Sequence, residues 1–524
     1  MNQLVCAAAL SACLFSCSGS VSSEVITGPE SQFVVFESTD LQGQYQVEAV
    51  SLDGTWRSNF LSSIPGHPEA AAQVKLALSG KSLAIETSEE WWPDKQWLVF
   101  NVSDGEYREM SFDTNPSRAT FTFGPQGSLA IRSEIPNSQH PAIRAPSEFY
   151  LLDADGRNRN RLGLDTEQID LLGWSESDAQ MLVQVTEYPS LQQWWHILDG
   201  SGNYLAGPMA SLEGPLALAD WSDTHLAFST PVEFQGNPRM SLQQYEKANG
   251  QVTQLLPVNA DVLDLGYSSD SQFLAVVTRT SGSFETLLSF RMDLNSTFTN
   301  LTSALPGITD IRLHGWTDSG NNLAYSYRPY EGGPEFLRIS DGLGIGLPIV
   351  DLGVDGSWIE EVVWSPDGRY LAFTSSYPKA DMGEIYIHDT QSGQVVEQGF
   401  TSNQMGRYVG LTWAPDSHMF FAAFRSGFDS TNEVIAFFPG DMANGRILGE
   451  NLAGGSLHAR GWTASSSYFI PTRDSRGVVW IQKGSDASRE GLVYSDLDPQ
   501  IQSRVLSSSC GQFEHGSIRS FWVR

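Results

Sequence analysis

Short apolar runs recur along the chain. Each ends at an aromatic or bulky residue and is followed at once by a small polar turn and a second apolar run. The clearest instance is VVWSPDGRYLAFTSS, Val362 to Ser376. Related segments are LTWAPDSHMFFAAF from Leu411, HGWTDSGNNLAYSY from His314, LGYSSDSQFLAVVT from Leu265, ADWSDTHLAFST from Ala219, LGWSESDAQMLVQV from Leu172 and RGWTASSSYFIPT from Arg460. Looser copies start at Phe121, Leu76 and Ile26. Aligned on the residue that ends the first run, the anchors are Thr27, Leu78, Phe123, Trp174, Trp221, Tyr267, Trp316, Trp364, Trp413 and Trp462, spaced 45 to 51 residues apart. Self-similarity at such a period marks a repeat architecture.

The pattern inside each copy predicts strands. Apolar runs this short, broken by Ser-Pro-Asp-Gly type turns, read as a hairpin. A third strand follows, as in EIYIHD from Glu384, and then a second turn with a more polar fourth strand. That second turn recurs as Asp53-Gly54, Asp104-Gly105, Asp155-Gly156, Gly200-Ser201-Gly202, Asn249-Gly250, Asp341-Gly342, Ser392-Gly393 and Asn444-Gly445. It keeps the period independently of the first turn, and its glycines supply positive φ at low steric cost. No segment sustains a 3.6-residue apolar period, so helices are expected to be few.

Four antiparallel strands per copy describe a β-propeller blade, an all-β fold whose sheets stack face to face around an axis. The anchor aromatics are expected to wedge between neighbouring blades rather than to contact a ligand. The string WSPDGRYLAFTSS resembles the WD-like repeat of TolB-type propellers, also found in the propeller domains of prolyl-oligopeptidase-like enzymes. Trp364 and Trp413 carry the Pro-Asp pair, and the other copies keep the spacing while losing parts of the motif. This resemblance covers nearly everything after residue 26 and implies fold rather than function, because the repeat marks turns. Ten copies exceed the usual four to eight blades. The expectation is one large ring of 8 to 10 blades, ahead of two five-bladed rings, which would need a break in the even spacing around Tyr267.

The composition fits a folded protein: 40% of the 524 residues are hydrophobic, with 15 Trp, 16 Tyr and 27 Phe. The 61 acidic side chains against 31 basic ones give a formal charge of -30, which repels phosphate backbones and excludes nucleic acid as a partner. Residues 1–17, MNQLVCAAALSACLFSC, form an apolar stretch too short to span a bilayer, followed by a Ser/Gly-rich tether, 18–26. Two segments resemble the bacterial lipobox, Leu10-Ser11-Ala12-Cys13 and Leu14-Phe15-Ser16-Cys17. Cys17 is the expected lipidated residue and Cys13 the alternative, with a plain cleaved signal as a further reading. No Lys or Arg precedes the apolar stretch, which departs from the usual pattern. The expected domain layout is therefore signal peptide 1–17, tether 18–26 and propeller 27–524. The absence of Asp after Cys17 resembles outer-membrane delivery, so a bacterial outer-membrane lipoprotein facing the periplasm or the cell surface is expected, touching the membrane only through its N-terminal lipid.

In a blade, the second-to-third connections lie on one face of the disc, and here they are the longer ones. They carry the unusual side chains: Trp91 and Trp92, His140 and Arg144, Tyr188, Phe234, Tyr330, Tyr377 and Phe428. This face is the candidate binding surface for an envelope protein or glycan. Trp91, Trp92, Trp194 and Trp195 equally fit the start of a third strand. Catalytic patterns are lacking: there is no G-x-S-x-G elbow, and about 20 residues remain after the tenth copy, too few for a hydrolase domain. The nine His are scattered, so no metal and no cofactor is expected. Asp153 to Asn158 resembles a calcium loop but lacks the terminal Glu and falls where the repeat needs its turn. His314 and His458 sit just ahead of anchors, where they fit structural roles or a channel lining. The expected function is a non-catalytic binding or scaffolding propeller. The alternative is an extracytoplasmic carbohydrate-active lyase or hydrolase, recognisable by paired carboxylates or a His-Arg cluster at the channel mouth.

Overall fold

The computed structural model describes residues 32–523 apart from connections between strands, of which those of six residues or more are 62–69, 89–96, 111–117, 135–146, 153–158, 212–217, 399–405, 451–457, 460–468, 484–489, 498–503 and 507–514. Among the described residues every element longer than a single turn is a β-strand. Eight antiparallel four-stranded sheets, B to I, follow one another over 70–110, 118–162, 167–211, 219–254, 261–300, 309–351, 358–398 and 406–450, each with its strands neighbouring in chain order. Sheet A holds nine strands in two halves. Its N-terminal half is Phe33–Asp40, Tyr45–Ser51 and Arg57–Asn59, and its C-terminal half is Phe469–Pro471, Gly477–Lys483, Glu490–Asp496 and Arg504–Val505.

The C-terminal strand His515–Val523 completes the N-terminal half. It pairs antiparallel with Phe33–Asp40, Val34 opposite Val523 and Asp40 opposite His515, and so takes the place of a first strand. The short strand His458–Ala459 runs parallel beside it. The first and last parts of the chain thus share one sheet.

Packing between sheets follows the alternation of side chains across each strand. Among the described residues, nine hydrophobic clusters join consecutive sheets and a tenth joins the two halves of sheet A. Phe60 and Phe100 meet between A and B, Leu242 and Phe290 between E and F, and Phe373 and Leu337 between H and G. The C-terminal half of A packs on I through Val478 and Trp480, and on the N-terminal half through Val479 and Val34. The succession therefore closes on itself, and sheets E and F share a cluster where two separate rings would part. This is the closed face-to-face stacking of a β-propeller, in which closure leaves no sheet face open.

The recurring turn explains the Ser-x-Asp signature. Ser365 accepts the N–H of Tyr370 at 2.8 Å and donates to Asp367 Oδ1 at 2.6 Å, and that carboxylate accepts the Arg369 N–H at 3.0 Å. Ser268 with Asp270 and Thr472 with Asp474 repeat the arrangement. The next residue lies in the left-handed region: Gly368 at φ +69°, but Ser271, Ser417 and Ser475 at +60°, +65° and +56°. These serines use their hydroxyls across the sheet boundary, accepting the backbone N–H groups of Asp223, Asp367 and Asp416 at 3.0, 2.9 and 3.1 Å. An inter-sheet hydrogen bond therefore stands where a glycine would relieve the backbone.

The anchor aromatics act as wedges, as expected. The indole N–H groups of Trp316, Trp364 and Trp413 donate to the carbonyls of Gly266, Gly315 and Val363 in the preceding sheet at 3.1, 3.1 and 3.0 Å. Trp316 stacks on Phe273 and Trp413 on Tyr370. Thr27, Leu78 and Trp462, like the leader with Cys13 and Cys17 and the loop Asp153 to Asn158, lie outside the described residues.

Candidate functional site

Two surfaces and the inner strands are the places where chemistry could sit. The first strands are half-buried along one side, and several of their polar groups are committed to the neighbouring sheet. Asp220 accepts the Tyr267 N–H at 2.7 Å, and Glu361 accepts those of Gly410 and Leu411 at 2.9 and 2.6 Å. From the third strands and the connections before them, Glu285 and Glu335 accept the N–H groups of Ile311 and Ile359 at 2.7 and 2.8 Å. Each carboxylate caps backbone donors that the ladder of the next sheet leaves over. Burial raises the carboxyl pKa of Glu361 against the lowering pull of its two N–H donors, and it raises Asp264 in the same way.

His314 and Arg312 lie two residues apart on the strand Thr309–Trp316. His314 Nε2 contacts Ser326 Oγ at 2.8 Å, and Ser326 donates to Glu335 Oε1 at 2.5 Å. Since the serine proton goes to Glu335, the imidazole supplies the proton of the first contact. Burial pushes His314 down to about 4, helped by the Arg312 charge, so it is neutral at physiological pH. Arg312 turns to Asp310 at 3.3 Å. His314 is thus a satisfied structural group. His458, on the short strand His458–Ala459, pairs with Ser520 of the C-terminal strand.

On the long-connection face, Trp91, Trp92, His140, Arg144, Tyr188 and Phe428 fall outside the described residues. Phe234 and Tyr377 stand on strands rather than in loops: Phe234 pairs with Asn237 and Tyr377 with Ala380, because the second and third strands of sheets E and H run on into tight hairpins. Pro231 and Pro238 are tolerated there because these strand ends extend past the short first and fourth strands and need no second partner. Tyr330 stands at the tip of its connection and is 52% exposed.

The connection that carries Tyr330 is tightly held. Buried Arg328 donates to Gly333 O at 2.6 Å, Ser357 O at 3.1 Å and Asp310 Oδ2 at 3.1 Å, and it lies 3.5 Å from the fully buried carboxylate of Glu335. Gly333 N–H closes the turn on Tyr330 O at 3.0 Å, and Gly356 N–H bonds Gly332 O at 2.9 Å. Two further apolar side chains occupy the same place in other sheets. Phe284 is 59% exposed at the end of the connection in sheet F. Leu191 is 54% exposed in sheet D, on a turn closed by its own N–H to Glu187 O at 2.8 Å with φ at +57°. Sequence reading passed over both. Leu191 is a lone aliphatic residue with no local signal, whereas Phe284 follows Ser-Gly-Ser and could have been singled out as an aromatic in a loop.

Among the described residues, no group of three or more His, Cys, Asp or Glu is placed to hold a metal ion, and no helix is long and apolar enough to cross a membrane.

No protein-family model matches the sequence, and no curated protein matches it. Solved structures do. A eukaryotic initiation factor is 11% identical with a TM-score of 0.52, covering 94% of this chain and 98% of that one. The Dos1 propeller is 11% identical with a TM-score of 0.40, covering 73% of this chain and 93% of that one. TolB from Acinetobacter baumannii is 14% identical with a TM-score of 0.26, covering 62% of this chain and 78% of that one. At such identities the likeness concerns the fold alone. The chain is an all-β propeller built of four-stranded antiparallel sheets.

Proposed function

We propose that this protein is a lipid-anchored binding or scaffolding propeller of the bacterial cell envelope, without a catalytic centre of its own, that takes a protein or glycan partner on its long-connection face. The observation that carries this reading is the placement of Leu191, Phe284 and Tyr330, large apolar side chains exposed in the second-to-third connections of three sheets. Aromatic and aliphatic groups held on preorganised turns lose little entropy on binding and make effective anchors. Leu191 in a left-handed conformation and the buried Arg328 beneath Tyr330 mark a surface whose shape is fixed in advance. The lipid at Cys17, or Cys13, and outer-membrane delivery facing the periplasm or cell surface rest on the leader sequence.

The test is affinity capture from detergent-solubilised envelope, with the protein itself as bait, combined with fractionation. The Cys17→Ser change should move the protein from the membrane to the soluble fraction. Phe284→Ser and Tyr330→Ser should each lower capture of the same partner about ten-fold at an unchanged melting midpoint. Equal capture by wild type and both variants would reject the reading.

A further inference from the structure

On the opposite face, among the short first-to-second turns, two cavities adjoin across sheets D to G. One, of about 430 Å³, is lined by Trp174, Asp220, Trp221, Tyr267, Ser269 and Trp316 among others. The second, of about 580 Å³, is lined by His225, Glu246, Lys247 and Gln272 among others. Asp223 and Ser271 border both, so the two form one groove. The only lysine there is engaged: Lys247 donates to Ser175 Oγ at 2.7 Å and stands 5.1 Å over the Trp221 ring. Asp220, Asp223 and Glu246 leave the groove acidic, in a chain of net charge -30.

The aromatic part of the lining comes from the anchors. In sheets G, H and I the anchor indoles donate to the preceding sheet. The indole N–H groups of Trp174 and Trp221 are buried without an acceptor in the protein, and both tryptophans line the groove. Both nitrogens are closed off from solvent, so the groove meets the rings of these tryptophans and not their donors.

We propose that this groove binds an uncharged oligosaccharide. A lining that mixes aromatic bodies, serine hydroxyls and carboxylate acceptors complements a ligand with apolar C–H faces and hydroxyls that both give and accept hydrogen bonds. The carboxylates select against anionic sugars. The proposal deepens the reading of the chain as a binding module and does not depend on the partner of the other face.

The experiment is calorimetric titration of the full-length lipoprotein, in a detergent without a sugar headgroup, with chitotetraose, maltotetraose and tetragalacturonate, alongside tryptophan fluorescence. At least one neutral tetrasaccharide should bind and shift the emission, and tetragalacturonate should bind at least ten-fold more weakly. Trp174→Phe/Trp221→Phe and, independently of any wedge effect, Asp223→Ala should each lower affinity about ten-fold. Val396→Ser, on the exposed outer strand Val395–Gln398 of sheet H, should leave it unchanged. No binding by either neutral sugar, equal binding of the anionic one, or unaltered affinity in both groove variants would overturn the proposal. Failure here with Tyr330-dependent capture intact sinks only the groove, and the converse sinks only the long-connection face.

Discussion

Ser417 holds a left-handed backbone at φ +65° and accepts the N–H of Asp367, in the turn of the preceding sheet, at 2.9 Å. A non-glycine residue in that region costs about 1 kcal/mol, and a part-buried hydrogen bond returns a similar amount. The two substitutions at this site therefore separate. Ser417→Gly removes both the strain and the bond and should leave stability nearly unchanged. Ser417→Ala keeps the strain, loses the bond and should destabilise by about 1 kcal/mol. Melting midpoints ranked wild type near Gly, with Ala below both, are expected; Ala equal to wild type would show that the bond contributes nothing.

The same turn shows how far the fold could be read from the chain. The Ser-Pro-Asp-Gly grammar at Ser365 to Gly368 is local, since each side chain bonds backbone within five residues, so the sequence displays it directly. The closure by His515–Val523 was not legible. Nothing in those residues announces that their partner lies at Phe33–Asp40, nearly the whole chain away. The candidate face divides similarly. Tyr330 is an aromatic beside two glycines and stands out, but the Arg328 to Glu335 contact that fixes it depends on Ser357 and Asp310, brought in from two other strands or connections. Phe234 and Tyr377 looked like loop residues because Gln235-Gly236 and Pro378 suggest breaks, while the strands continue through to the turn.

The anchor tryptophans predict a contrast between two equivalent positions. Trp316 and Trp221 are both partly buried wedges, but only Trp316 donates its indole N–H, to Gly266 O at 3.1 Å. Replacement by Phe removes similar volume at each site. Trp316→Phe should cost about 1 kcal/mol more than Trp221→Phe, the difference being one inter-sheet hydrogen bond. Denaturant midpoints measured without added sugar check it, and equal losses would contradict the account.

Acid sensitivity should pass through His314. Its folded pKa is pushed down to about 4 from 6.5, so below pH 6.5 the unfolded chain takes up a proton that the fold refuses. Stability from this group is complete above pH 6.5 and is lost as pH falls toward 4, by on the order of 3 kcal/mol. Glu361 and Asp264, with carboxyls raised by burial, act in the opposite sense and gain stability as pH falls through their own range. The two effects overlap in the wild type, and His314→Gln separates them because its amide can still donate to Ser326. Urea midpoints at pH 7 and pH 4.5 should converge more closely in His314→Gln than in wild type. An identical pH dependence would place the titration elsewhere.

Closure supplies the last test. His515–Val523 pairs along most of Phe33–Asp40, and its register shifts between Glu37 and Ser38 and again between Thr39 and Asp40, where the strand bends. Removing residues 514–524 would expose the free edge of Phe33–Asp40, with unpaired N–H and C=O groups on a strand whose Val34, Val35 and Phe36 are fully buried. The remaining contact between the two halves of sheet A would be the cluster of Val34, Val50, Val479 and Leu492. A propeller held at that seam by side chains alone should open there first, because backbone pairing resists shear in a way that a hydrophobic patch does not. Limited proteolysis of the truncated protein should cut early within the first and last sheet units while sheets D to H persist, and the exposed edge should promote self-association at high concentration. Cleavage beginning in sheets E and F, or a truncated protein as resistant as wild type, would show that the C-terminal strand does not hold the ring.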